Sequence, residues 1–341
     1  MYDYRDDFED AEGTELEEII NAAEHGDPLA QNELGVQYCI GFYGKVDLQK
    51  ACELYKKAAR QGCAEAQFNL GMLYYYGDGV EHNLREALKW YRRAANKGHA
   101  EAQFTIGNMY YFADGTEKDN KEAVKWYRRA ARQGVAAAQC NLGNAYYFAE
   151  GVKKNDKKAV EWYTKAAEQG DPDAQYNLGN MYKYGYGVEE DWEKAEHYYK
   201  LAADQGHPQG EFCLAWFYRE CGRDKEAIEL FKRSIEHGGE DDPEYPKSSY
   251  DADAAYYIGN LYRYGKGSER NYDEAVKWFT ISAERGTAYA QNALAEMYEL
   301  GLGTEKDASK ALEWYQKAVD QGNMWAIDKL EKLEKLEKLE T

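Results

Sequence analysis

"NLGNAYYFAEGV" occupies residues 141–152, and the chain repeats the phrase: "NLGMLYYYGDGV" at 69–80 and "NLGNMYKYGYGV" at 177–188. The Gln before each Leu-Gly pair falls at Gln31, Gln67, Gln103, Gln139 and Gln175, at a constant interval of 36. The series resumes at Ala255 and Gln291, again 36 apart, after a shorter unit centred on Glu211 and the stretch "GGEDDPEYPKSSYDAD". A fixed period of this size predicts stacked supersecondary units in place of one mixed core.

Each unit carries two helical patterns. Ala66, Leu70 and Tyr74 are four apart and share one helix face. The Tyr recurs at 38, 74, 110, 146, 182, 218, 262 and 298. The Gly beside the Leu lies mid-helix, where it costs about 1 kcal/mol against Ala, so close approach of another helix is expected there. A Gly-x-Gly stop follows (Gly77–Gly79, Gly185–Gly187, Gly265–Gly267, Gly301–Gly303). It succeeds a helix, where a phosphate-binding loop succeeds a strand, and reads as a C-cap and turn. The second pattern is Ala87, Trp90-Tyr91, Ala94-Ala95, repeated as Ala123, Trp126-Tyr127, Ala130-Ala131 and as Ala159, Trp162-Tyr163, Ala166-Ala167. Rings against alanines allow two helices to pair closely. A closing Gly (62, 98, 134, 170, 206, 286, 322) ends each unit, which is therefore a helix hairpin.

Residues 1–14 form an acidic tail, 15–26 match only the second helix of a unit and read as a half-repeat cap, and repeats fill 27–238. An acidic insertion at 239–253, repeats over 254–322 and a Lys-Leu-Glu capping helix at 323–341 complete the reading. The odd unit at Glu211, with the insertion after it, is expected either to bend the superhelix or to divide the array into two sub-blocks.

With 43 Lys and Arg against 62 Asp and Glu, the net charge is −19, which excludes non-specific attraction to nucleic acid or anionic lipid and favours a basic peptide. The N-terminus has neither a basic start nor an apolar run, so a cytoplasmic location is expected, with a secreted effector or a mature periplasmic form as the alternative. Six Cys follow neither the repeat nor a metal-ligand spacing and read as free thiols. The six His, mostly beside turn glycines, read as exposed turn residues, and no catalytic, cofactor or metal constellation is apparent.

"AQFNLGMLYYYGDGV" followed by "EALKWYRRAANKG" resembles the Sel-one-like repeat, a relative of the tetratricopeptide repeat, from about Glu15 onward. The resemblance implies an all-α, right-handed solenoid superhelix of stacked antiparallel hairpins, about eight 36-residue repeats plus capping helices. It also implies a non-enzymatic adaptor or scaffold. "CLAWFYRECGRDKEAIELFKRSIEHGG" departs from the pattern, lacking the Gly-x-Gly loop, and reads as a plain tetratricopeptide unit.

If the first helices line a concave side, positions one, five, eight and nine after the Gln face a partner. Position one supplies Phe68, Phe104 and Tyr176; position eight supplies Tyr75, Tyr111, Tyr147, Arg219 and Arg263; position nine supplies Tyr76, Phe112, Phe148, Tyr184 and Tyr264. Position five carries Asn108, Asn144, Asn180 and Asn260, with Met72 and Trp216 interrupting. An Asn amide both donates and accepts, so a ladder of them suits a peptide backbone, as in some tetratricopeptide superhelices. The other use of each Asn is a bond to a neighbouring helix. The expectation is a scaffold holding an extended peptide or loop of a protein partner. The alternatives are a cell-wall or β-lactam-associated secreted protein and a regulatory inhibitor of an effector or toxin.

Overall fold

The computed structural model describes residues 16–41, 45–238 and 249–340, with side chains to Leu333 in the last helix. The acidic tail and most of the acidic insertion lie outside the described residues. The described regular elements are all helices, arranged as an all-α solenoid of hairpins. Two compact units divide at Gln169–Gly170.

The first unit holds α1 (16–24) and the hairpins α2 (Pro28–Ile40) with α3 (Leu48–Arg60), α4 (Ala64–Tyr76) with α5 (Leu84–Asn96), α6 (Ala100–Phe112) with α7 (Asn120–Arg132), and α8 (Ala136–Phe148) with α9 (Asp156–Glu168). The second holds α10 (Pro172–Tyr184) with α11 (Trp192–Asp204), α12 (Pro208–Glu220) with α13 (Asp224–His237), α14 (Ser249–Tyr264) with α15 (Tyr272–Glu284), α16 (Ala288–Leu300) with α17 (Ala308–Asp320), and α18 (Met324–Glu340). Two expectations need correction. The division does not fall at the odd unit, because α12 and α13 pack as an ordinary hairpin inside the second unit. Residues 249–253, read as the end of an insertion, are the first turn of α14.

The mid-helix glycine sets the spacing within a hairpin. A Cβ on Gly71, Gly107, Gly143 or Gly179 would stand 2.5–2.7 Å from the ring of Tyr91, Tyr127, Tyr163 or Tyr199 on the second helix. No real side chain tolerates that distance, so the glycine is the seat of the ring. The ring is the payload: Tyr91, Tyr163 and Tyr199 are among the largest fully buried side chains.

The Gly-x-Gly stop has two separate duties. Its first residue caps the first helix in the left-handed region, as at Gly77, Gly185, Gly265 and Gly301. Its second lies on the preceding repeat: a Cβ on Gly151 would stand 2.1 Å from the Asn120 carbonyl oxygen, and one on Gly303 2.3 Å from that of Tyr272. The linker then returns, with Asn83 N–H donating to the Tyr74 carbonyl at 2.8 Å and Asp119 N–H to that of Tyr110 at 2.9 Å. Those two side chains cap α5 and α7 by accepting from the N–H groups of Glu86 and of Lys121 and Glu122.

The landmark Gln is structural too. Gln103 and Gln139 are buried, and their Nε2 atoms donate to the carbonyls of Ala95 and Ala131 in the preceding hairpin at 3.0 and 3.1 Å. Their Oε1 atoms accept from Gln133 and Gln169, the Gln of the closing Gln-Gly, at 2.8 and 2.7 Å. Gln175–Gln205 and Gln291–Gln321 repeat the pair. Where the relay changes, both ends change. Glu211, fully buried, takes the Gln place and is paired with His237 at 2.9 Å and with Arg233 at 2.7 Å. Where Ala255 stands in for Gln, Arg285 lies 4.0 Å from the buried Asp251 carboxylate.

One unit is left incomplete. Lys97 replaces the closing Gln, and Gln67 Oε1 is buried with no donor. Restoring the donor with Lys97→Gln is expected to raise stability by about 1 kcal/mol, read as an upward shift of the urea midpoint. Ala113 and Ala149 hold the left-handed cap positions that other repeats give to Gly. Ala113→Gly and Ala149→Gly are each expected to gain up to about 1 kcal/mol, since relief of left-handed strain outweighs the added unfolded-state entropy. A lowered melting temperature in either would contradict this.

Candidate protein-binding surface

The position-five asparagines are partly committed. Asn108, Asn144 and Asn180 accept through Oδ1 from the hydroxyls of Tyr127, Tyr163 and Tyr199 at 2.8, 2.7 and 2.8 Å. Burial pushes these phenols far above their usual range, so they stay protonated and donate. Leu-Gly-Asn and the Tyr of the next helix thus form one device: the Gly seats the ring and the Asn receives its hydroxyl. Asn260 proves the logic by exception. Its ring partner is Phe279, which has no hydroxyl, and Asn260 turns back to donate to the Tyr256 carbonyl at 3.2 Å.

Position one supplies lids over those rings. Phe68 stacks on His99 with centroids 4.5 Å apart and leans on Tyr91; Phe104 leans on Tyr127 at 6.1 Å; Tyr176 lies against Tyr199 and His207. His99 and His207 are therefore not the exposed turn residues expected. Each caps a first helix, and their side chains are only 13% and 9% exposed.

Position eight reaches the next repeat. Tyr75 Oη donates to Asp114 at 3.0 Å, and the Tyr111 phenol is pushed up first by burial and then by the Glu150 carboxylate. Tyr147 stands edge-on to Phe148 with centroids 4.8 Å apart. In the second unit Lys183 lies 3.9 Å from the Trp216 ring, Arg219 lies 4.6 Å from the Tyr257 ring, and Arg263 pairs with Glu296 at 2.8 Å. Tyr75, Lys183, Arg219 and Arg263 thus tie successive repeats together, and all of the position-eight side chains named remain half-buried.

Position nine is different. It is the last residue of each first helix, and there Tyr76, Phe112 and Phe148 in the first unit are 67%, 65% and 64% exposed. Tyr184 and Tyr264 in the second unit are 53% and 57% exposed. Beside Phe112 opens a cavity of about 320 Å³, lined by Tyr111, Phe112, Tyr127, Asn141, Asn144 and Glu150 among others. Sequence reading missed the glutamine relay, used only as an alignment mark, and the acidic residue at Asp114 and Glu150. The signal was the recurrence of the Gln in most units and of the acidic residue at Asp78, Asp114 and Glu150. Among the described residues no cluster of three His, Cys, Asp or Glu gathers for a metal, and no helix is long and apolar enough to cross a membrane.

Hairpins of this construction define a helical-repeat interaction protein, and sequence and structural comparisons agree. The Sel1 repeat profile matches residues 28–63, 64–99, 100–135, 136–171, 172–207, 252–287 and 288–323, and a tetratricopeptide repeat profile matches 214–243. The chain belongs to the Sel1 repeat family, whose members are generally non-enzymatic protein-interaction scaffolds. A Sel1 repeat protein from Oxalobacter formigenes is similar, with 32% identity, a TM-score of 0.65 and coverage of 93% of this chain and 90% of that one. A protective antigen present in uropathogenic Escherichia coli strains, displaying the same repeat fold, is 27% identical with a TM-score of 0.61, over 93% and 82% of the two chains. No curated protein matches the sequence.

Asn144→Ala is expected to strand the Tyr163 hydroxyl in the seam and cost about 1–3 kcal/mol in unfolding free energy. Adding Tyr163→Phe should recover a substantial part of that loss. If Asn144→Ala alone leaves the urea midpoint unchanged, the hydroxyl has another acceptor.

Proposed function

We propose that the protein is a non-enzymatic scaffold that takes an extended peptide or loop of a protein partner along its first helices, with the position-nine rings as anchors. The observation that carries the reading is the recurrence of a large, exposed aromatic at one register. Every other recurrent aromatic register contributes substantially to packing, whereas these rings are left largely in water. An exposed apolar ring has a hydration cost and no folding benefit to balance it, and aromatics of this kind dominate interface energetics.

The amide ladder enters this reading in reduced form. The carbonyls of Asn108, Asn144 and Asn180 are used for folding, so the rings and the half-exposed position-eight side chains carry recognition. The acidic surface favours a basic partner, through faster encounter more than through tighter final contact. Asparagine substitution is a poor test, because it unsettles the hairpin seam.

A photo-crosslinking residue placed at Phe112 would identify the partner. Tyr76→Ala, Phe112→Ala and Phe148→Ala combined should keep the helical CD spectrum and weaken that partner by at least about tenfold, as expected for truncating several anchors. Unchanged affinity in the triple variant removes the position-nine surface from the binding site.

A further inference from the structure

The 320 Å³ cavity beside Phe112 has a chemistry of its own. Its walls include three rings, Tyr111, Phe112 and Tyr127, contributed by α6 and α7. Its polar groups are the Tyr111 and Tyr127 hydroxyls, three asparagine amides and one carboxylate. The Tyr127 hydroxyl donates to Asn108 Oδ1. Asn141 Nδ2 donates to the same oxygen at 3.4 Å. Asn120, also in the lining, has its Oδ1 buried without a donor. Glu150 contributes the one charged group among the lining residues, a carboxylate close enough to Tyr111 to raise its phenol. The Tyr111 ring takes cations: Lys118 Nζ lies 5.1 Å from its centroid.

We propose that this cavity receives a single arginine side chain of the partner peptide. The inference rests on the peptide-binding reading of the first-helix face and names the chemistry that one site on that face selects. At about 320 Å³ the cavity lies at the small end of ligand sites, sized for a side chain and not for a folded segment. A site with π faces, an unpaired buried acceptor and a single carboxylate is complementary to a group that brings positive charge and several N–H donors. A guanidinium meets that description better than an ammonium, because its plane lies on rings while its edge bonds to more than one acceptor at once.

The test uses the full chain and two blocked tripeptides, N-acetyl-Gly-Arg-Gly-amide and the same peptide with citrulline, which keeps the shape and loses the charge. Titration calorimetry and backbone amide shift mapping are the readouts. The arginine peptide is expected to shift amides within residues 111–150 and to bind about tenfold or more tightly than the citrulline peptide. Glu150→Gln and Phe112→Ala should each weaken the arginine peptide several-fold while the helical CD spectrum is kept. Equal binding of the two peptides, indifference to Glu150→Gln, or no shifts in 111–150 overturns the proposal. The two readings fail separately. A position-nine triple variant that loses its partner, combined with an arginine peptide that leaves the cavity unmoved, sinks the arginine site alone. Cavity binding of arginine, combined with a partner indifferent to Tyr76 and Phe148, sinks the wider surface alone.

Discussion

A tyrosine ring resting on a bare glycine fixes the geometry of this protein. In the helix pairs built around Gly71, Gly107, Gly143 and Gly179, a methyl group in place of the glycine hydrogen would meet the ring at 2.5–2.7 Å. The glycine gives up helix propensity of about 1 kcal/mol, and burial of a whole aromatic side chain offsets that several times over. Once the ring is seated, its buried hydroxyl needs an acceptor, and beyond Gly107, Gly143 and Gly179 the next residue, an Asn, supplies it. Ring size, glycine and asparagine are therefore one choice, which is why Phe279 releases Asn260 to its own helix.

The same economy governs the polar atoms at the other end of each hairpin. A buried glutamine brings an amide NH2 and a carbonyl oxygen, and the fold supplies an alanine carbonyl to accept from the first and a second glutamine to donate to the second. The substitutions keep that balance by changing both ends. Glu211 is expensive to bury, and the Arg233 guanidinium supplies a compensating charge while the His237 ring lies against the other carboxylate oxygen. Lys97 is the position where compensation fails, and Gln67 keeps an unpaired oxygen as the result.

Much of the fold was legible because its determinants are local and recur. Period, helix faces, glycine stops and the hairpin itself are all properties of spacing, and the helices fall where the Ala, Leu and Tyr pattern puts them. The surface was less legible for a physical reason. Recurrence marks a residue as needed in every repeat, but it does not say whether the need is packing, pairing or recognition. Asn144 and Phe148 recur equally well; one holds a buried hydroxyl and the other stands in solvent. His99 and His207 looked like turn residues because they flank glycines, and only their stacking on Phe68 and Tyr176 reveals them as covered caps. The boundary between the two units left no mark in composition at all.

Function can occupy the position-nine register because architecture makes so little use of it. Positions one, five and eight are constrained by the ring below, the hydroxyl beside or the repeat ahead, so altering them for a ligand would disturb folding. The last residue before the helix cap has few such obligations, and exchanging Tyr for Phe there costs the stack little. Exposed rings risk self-association, but here each of the three in the first unit is set edge-on against its own position-eight tyrosine, and the chain is strongly acidic. Isolated anchors of this kind bind weakly one at a time. A partner that extends across several repeats engages them together, and each further contact is then intramolecular, so selectivity comes from matching the repeat spacing as much as from any single pocket.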